Sequence, residues 1–104
     1  MAERNDQINK KIKMFLSRVE KKYHISDAYI FGSYAKGTFG KWSDIDLALI
    51  SPDFSDESFD VRLELMKIAS TIDDRIEPCP YKTDTFNIDD PLVAEIKKYG
   101  IRIM

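Results

Sequence analysis

The chain has almost none of the residues that carry disulfide, zinc or redox chemistry. Of its 104 residues one is cysteine, Cys79, and one is histidine, His24. A single thiol excludes an intrachain disulfide and any cysteine-based metal cluster. Cys79 lies between Pro78 and Pro80 and reads as a small structural residue, although its thiol shares a strand face with Glu77. His24 falls at a helix-to-strand junction, has no partner motif and reads as a boundary residue. Also missing is any apolar run near the roughly 20 residues that span a bilayer. The polar, charged amino terminus lacks a signal-peptide pattern, so the cytoplasm is the expected compartment. There is no excess of one charge either: the net charge is −2, which offers no electrostatic reason for non-specific nucleic-acid binding. Lys10, Lys11, Lys13, Arg18, Lys21 and Lys22 cluster early, but Glu3, Asp6 and Glu20 are interleaved, and a solvated helix face is the better reading.

What is present suffices for one domain over residues 1–104 with one core. Ile8, Ile12, Phe15, Leu16, Val19 and Tyr23 recur at helical spacing, which predicts an amphipathic helix over about 3–23 with Met14 on its opposite face. A strand over about 27–31 follows, then a short helix or turn carrying Tyr34 to Phe39. After Ser51-Pro52-Asp53 a helix to about Ile72 is marked by Ser55 as N-cap, by Asp56 and Glu57 in its first turn, and by a Phe54-to-Phe59 staple. Its apolar residues form two arcs, Phe59, Leu63 and Met66 on one and Val61, Leu65, Ile68 and Ile72 on the other. Either this helix is mostly buried or one arc meets a partner. On the second reading Val61, Leu65 and Ile68 anchor the contact, and on the first they are core. Arg75 to Lys82 reads as a strand that Pro78 and Pro80 confine to an edge or make irregular. Asp90-Pro91 opens the last helix as N-cap and N1, Gly100 ends it as a C′ residue, and Ile101-Arg102-Ile103 closes the chain as a short strand. The order α-β-α-β-α-β-α-β predicts a small α/β palm, a mixed sheet with helices packed against it.

Two segments carry chemistry. Phe31-Gly32-Ser33-Tyr34-Ala35-Lys36-Gly37 follows an apolar strand, and Ser43-Asp44-Ile45-Asp46-Leu47 opens another. In the second strand Ile45, Leu47 and Leu49 point one way and Asp44, Asp46 and Ala48 the other. The two carboxylates thus share a face with Cα atoms roughly 7 Å apart. Such a pair resists burial unless cations lie between its members, and magnesium takes oxygen ligands of this kind together with substrate phosphates. Gly32, lacking a Cβ, lets backbone approach a polyphosphate, and Ser33 offers an N–H and a hydroxyl. Each motif alone usually marks a turn or a solvated loop. In this order, and abutting strands, they are far more specific. Lys36 and Lys41 can neutralise phosphate charge, and Trp42 can stack on a base or form a structural rim.

These residues resemble the signature of the DNA-polymerase-beta-like nucleotidyltransferase superfamily, and the short length is most similar to its minimal nucleotidyltransferases, often encoded beside a HEPN-domain protein. The resemblance spans about Tyr23 to Met104 and implies a small polymerase-beta-like palm. It implies Gly32 and Ser33 on the triphosphate, with Lys36 and Ser43 among the nucleotide-binding positions, and Asp44 and Asp46 as ligands of two magnesium ions. It also implies a third acidic residue on a later strand that binds metal and activates the attacking hydroxyl. Glu77 is the best match, in place of the more frequent Asp. The implied activity is transfer of a nucleoside monophosphate, AMP from ATP in its most specific form, to a hydroxyl, with release of pyrophosphate. So small a palm has no evident domain for a large acceptor, so the acceptor is expected on another chain, a HEPN-type toxin whose antitoxin this protein would be. The alternatives are a non-enzymatic module that neutralises its partner by contact, and a transferase acting on a small molecule such as an aminoglycoside.

Overall fold

A computed structural model describes residues 2–37, 40, 44–54, 58–87 and 89–104. The elements run α1 (Ala2–Val19), β1 (Asp27–Phe31), α2 (Ser33–Lys36), β2 (Ile45–Ser51), α3 (Ser58–Ser70), β3 (Ile76–Lys82), α4 (Pro91–Tyr99) and β4 (Ile101–Arg102), with a 3-10 turn over Thr83–Thr85. This is the expected α/β order. The first helix is shorter than its apolar periodicity suggests, ending at Val19 in a turn through which Tyr23 still reaches the core. Among the described residues no helix is long and apolar enough to cross a membrane.

The four strands form one mixed sheet in the order β3-β2-β1-β4. β1 pairs antiparallel with β2 and β4, and β2 pairs parallel with β3. The prolines of β3 therefore stand on an edge strand. The Ile45 N–H donates to the Arg75 carbonyl at 2.7 Å, and in a parallel ladder of that phase Glu77, Cys79 and Tyr81 turn their amides toward β2. Pro78 and Pro80, two residues apart, share the opposite phase and face the open edge, where a missing donor costs nothing.

Strand alternation divides the molecule into two layers. On one face Ile45, Leu47 and Leu49, all fully buried, pack with Ile8, Ile12, Phe15, Leu16 and Val19 of α1 and with Val61, Leu65 and Ala69 of α3. On the other face Ala48 and Ile50 pack against Ile96 of α4, with Tyr29, Phe31, Tyr81 and Phe86 around them. Asp90 caps α4, its Oδ1 accepting the Leu92 N–H at 2.8 Å, with Pro91 at the first helical position. Gly100 ends the helix without a left-handed backbone: its φ is −67° and its N–H donates to the Ile96 carbonyl at 2.7 Å. Glycine is required there because a Cβ would run into the Ile96 carbonyl.

For α3 one of the two open readings holds and the expected staple is corrected. Val61 and Leu65 are buried and Ile68 is half-buried against the same core, so this arc belongs to the domain interior. The outward arc is Phe59, Leu63 and Met66, exposed by 75%, 45% and 47%. Phe54 does not staple onto Phe59. It is buried with its ring edge-on to Tyr23, centroids 5.1 Å apart, because the core offers Phe54 more cover than one turn of an exposed helix face. Ser55, Asp56 and Glu57, the expected start of this helix, lie outside the described residues.

Candidate active site

The site candidates converge at one end of the sheet because three strands begin or end there. β1 finishes at Phe31 and delivers Gly32. β2 starts at Ile45, immediately after Asp44, and β3 starts at Ile76. Across the sheet Phe31 pairs with Asp46 and Asp46 pairs with Glu77. Residues paired in register project from the same face, so Phe31, Asp46 and Glu77 form a row, followed one step along by Tyr29, Ala48 and Cys79. Glu77 is exposed on its edge strand, Asp44 is exposed before β2, and Asp46 is half-buried between them.

Gly32 has φ +69° and ψ −145°, a region that side-chain-bearing residues essentially never occupy. A second constraint is independent of the first. A Cβ at Gly32 would fall on the Asp46 carboxylate oxygen Oδ2, with the carboxyl carbon only 3.3 Å away. The glycine backbone thus lies directly against the Asp46 carboxylate, which joins the two sequence motifs into one structure. Ser33 is the first residue of α2, and the Lys36 N–H returns to the Gly32 carbonyl at 3.1 Å. Gly37 closes the turn with φ +76°.

The local field is negative. Burial pushes the Asp46 carboxyl above the ordinary carboxylate range, and the Asp44 and Glu77 charges push it further. Burial also raises the Cys79 thiol, with Asp46 and Glu77 adding to the effect and Arg62 opposing it. An oxygen-rich, mutually repelling set is the donor chemistry that suits magnesium, which completes its shell with water and phosphate. Among the described residues, however, no three acidic, histidine or cysteine side chains are gathered into a ready-made metal cluster. The carboxylates fit the ion as donors, with no closed cage.

The other expected residues fall as follows. Lys36 is exposed, and its Nζ donates to Glu95 Oε1 of α4 at 2.8 Å, beside the Tyr99 ring. That bond raises the Lys36 pKa. Ser43, Lys41 and Trp42 lie outside the described residues. Asp73, shortly before β3, is paired within the fold: it accepts from Arg75 at 2.8 Å and from Lys11 at 2.9 Å. His24 is exposed, and its backbone N–H donates to Asp53 Oδ2 at 2.7 Å. No local motif marks Arg62, yet it reaches from α3 to within 3.8 Å of the Cys79 sulfur and brings a guanidinium to the edge strand beside the acidic row. Only the pairing of α3 with β3 reveals it.

The nucleotidyltransferase domain family matches residues 12–102 of the chain. A crystal structure of a toxin–antitoxin with AMP-PNP superposes with a TM-score of 0.64 at 27% identity, covering 90% of this chain and 70% of that one. A mutant of the toxin–antitoxin MntA–HpeT gives 0.62 at 27% identity, covering 91% and 70%. A Sulfolobus solfataricus protein, at 20% identity and a TM-score of 0.59 over 95% of this chain and 81% of its own, shares the fold alone. No curated protein matches the chain.

Proposed function

The chain belongs to the nucleotidyltransferase domain family, and from that premise we propose that it is a magnesium-dependent transferase of AMP from ATP to a hydroxyl on a partner protein, acting as the antitoxin of a HEPN-type toxin in the cytoplasm. The observation that carries this reading is the seating of the Gly32 backbone on the Asp46 carboxylate, with Glu77 in register beside it. A triphosphate held by the Gly32-Ser33 backbone is thereby brought next to the acidic row. The similarity to a toxin–antitoxin structure with AMP-PNP supports both the nucleotide and the partner.

The roles follow from the two motifs. Gly32 and the Ser33 N–H and hydroxyl hold the triphosphate, with Ser43 and Lys36 as further nucleotide contacts. Asp44, Asp46 and Glu77 would hold two magnesium ions, which when bound neutralise the triphosphate and the leaving pyrophosphate. Glu77 accepts the proton of the acceptor hydroxyl as its oxygen bonds to the α-phosphorus and the bond to the departing pyrophosphate breaks. Its exposed place on an edge strand keeps it open to a hydroxyl arriving from another molecule.

A second reading, neutralisation by contact without catalysis, is favoured by one observation: the carboxylates are not gathered into a metal cluster among the described residues. Intact mass of the co-purified partner after incubation with ATP and magnesium separates the two. A gain of one AMP that disappears with Asp44→Asn supports transfer, and an unmodified partner that remains neutralised supports contact alone.

A further inference from the structure

The geometry points to a docking groove between the C-terminal ends of α1 and α3 that takes an acidic, amphipathic helical segment of a protein partner. A cavity of about 400 Å³ opens there, lined by Arg18, Lys21, Lys22, Lys67, Ile68 and Thr71. Four of these six residues are cationic and none is acidic, in a chain whose net charge is −2. The accessible lining is nonetheless almost all carbon, since the aliphatic stems of the long side chains join Ile68 as floor and walls while the charged heads stand at the rim. Arg18 is fixed across the groove by its bond to Thr71 Oγ1 at 2.6 Å. Lys22 meets Glu64 at 3.0 Å. Lys21 and Lys67 are exposed.

The surface beside the groove narrows the choice of occupant. Phe59, Leu63 and Met66 form an exposed apolar strip along α3, and Leu63 lies one helical turn before the groove residue Lys67. A nucleic-acid backbone would satisfy the cations and leave this strip in water. A helix with an apolar face and acidic residues at one end covers both, by helix-in-groove packing with complementary charge. This surface belongs to the α1/α3 layer, across the sheet from Asp46 and Glu77, so a bound partner leaves the acidic row open. The inference rests on the proposed function only in expecting a protein partner, and it requires no catalysis.

The test uses the full chain and a fluorescent synthetic helical peptide with a leucine face and glutamates at one end. Binding to the wild type is expected, with a loss of at least about tenfold in Lys21→Glu/Lys67→Glu. A smaller loss is expected in Phe59→Ser, and both variants should keep the wild-type circular dichroism and melting temperature. The matching peptide with lysines for glutamates, a single-stranded RNA and phosphatidylserine vesicles are measured in parallel. Equal binding of the two peptides, unchanged binding by the charge-reversed variant, or displacement of the peptide by RNA or vesicles would overturn the groove assignment. Melts with ATP and magnesium keep the two readings apart. Peptide binding without nucleotide stabilisation overturns the proposed function alone, and nucleotide stabilisation without peptide binding overturns the groove alone.

Discussion

One strand, β2, supplies both faces of the sheet, and its two rows of side chains live under opposite conditions. Ile45, Leu47 and Leu49 are fully buried between α1 and α3. Asp46, one residue out of phase, is half-buried on the other face beside two more carboxylates, and its charge is opposed by burial and by both neighbours. The apolar row is satisfied by the fold itself. The acidic row is tolerated by the fold, with Asp44 and Glu77 open to water and Asp46 half withdrawn from it. A small domain can hold this arrangement because both faces have apolar cover, a larger cluster under α1 and α3 and a smaller one under α4, and the carboxylates stand at one end of the second face.

The largest effect should come from carrying charge into the apolar layer. Leu65 is fully buried, and Leu65→Asp is expected to cost more than about 4 kcal/mol and to unfold the domain, as urea titration followed by circular dichroism will show. Retention of the native spectrum with a change only in assembly would return this arc of α3 to the surface. Next is the seam between the two motifs. Gly32→Ala must accept a forbidden backbone region and turn the Asp46 carboxylate away from the new methyl, at about 1–3 kcal/mol. Nucleotide-dependent stabilisation should be lost with it. A neutral effect would show that the turn relaxes freely and that the two motifs are not mechanically coupled.

A carboxylate that the fold does satisfy provides the contrast. Asp73 is held well below the ordinary range by hydrogen bonds from Arg75, with Lys11 adding to them. Because its folded pKa is depressed, its contribution is complete above the unfolded value of about 4 and is lost as pH falls from there toward the depressed one. Asp73→Asn should therefore cost about 1–2 kcal/mol at neutral pH and show a flatter decline of stability below about pH 4 than the wild type. Parallel acid titrations of the two proteins would refute the pairing.

The smallest effect has the opposite sign. Asp46→Asn removes a charge that burial and two neighbours oppose, so without ligand the variant should melt a few degrees higher than the wild type.

How much of this was legible follows the same division. The period-two pattern of β2 assigned each of its residues to a face, and the cap signals of Asp90-Pro91 placed α4, because both are local rules written in adjacent residues. The Gly-Ser and Asp-X-Asp motifs likewise announced themselves, but only the pairing of Phe31 with Asp46 shows that the glycine touches the carboxylate. In α3 both arcs are apolar, and no local rule says which one turns to the sheet. The salt bridges of Lys36 with Glu95 and of Lys11 with Asp73 join residues far apart in sequence. So does the groove between α1 and α3, whose lysines look like a solvated face until Lys67 and Ile68 are set beside them.

Thermal melts of wild type and Asp46→Asn, each with and without ATP and magnesium, probe the acidic row itself, because it is proposed to be a liability in the free protein and an asset in the bound one. A crossing is expected: the variant melts higher when both are free, and the wild type gains by mass action on adding ATP and magnesium while the variant gains little. Equal gains in the two proteins, or a free variant less stable than the wild type, would contradict it.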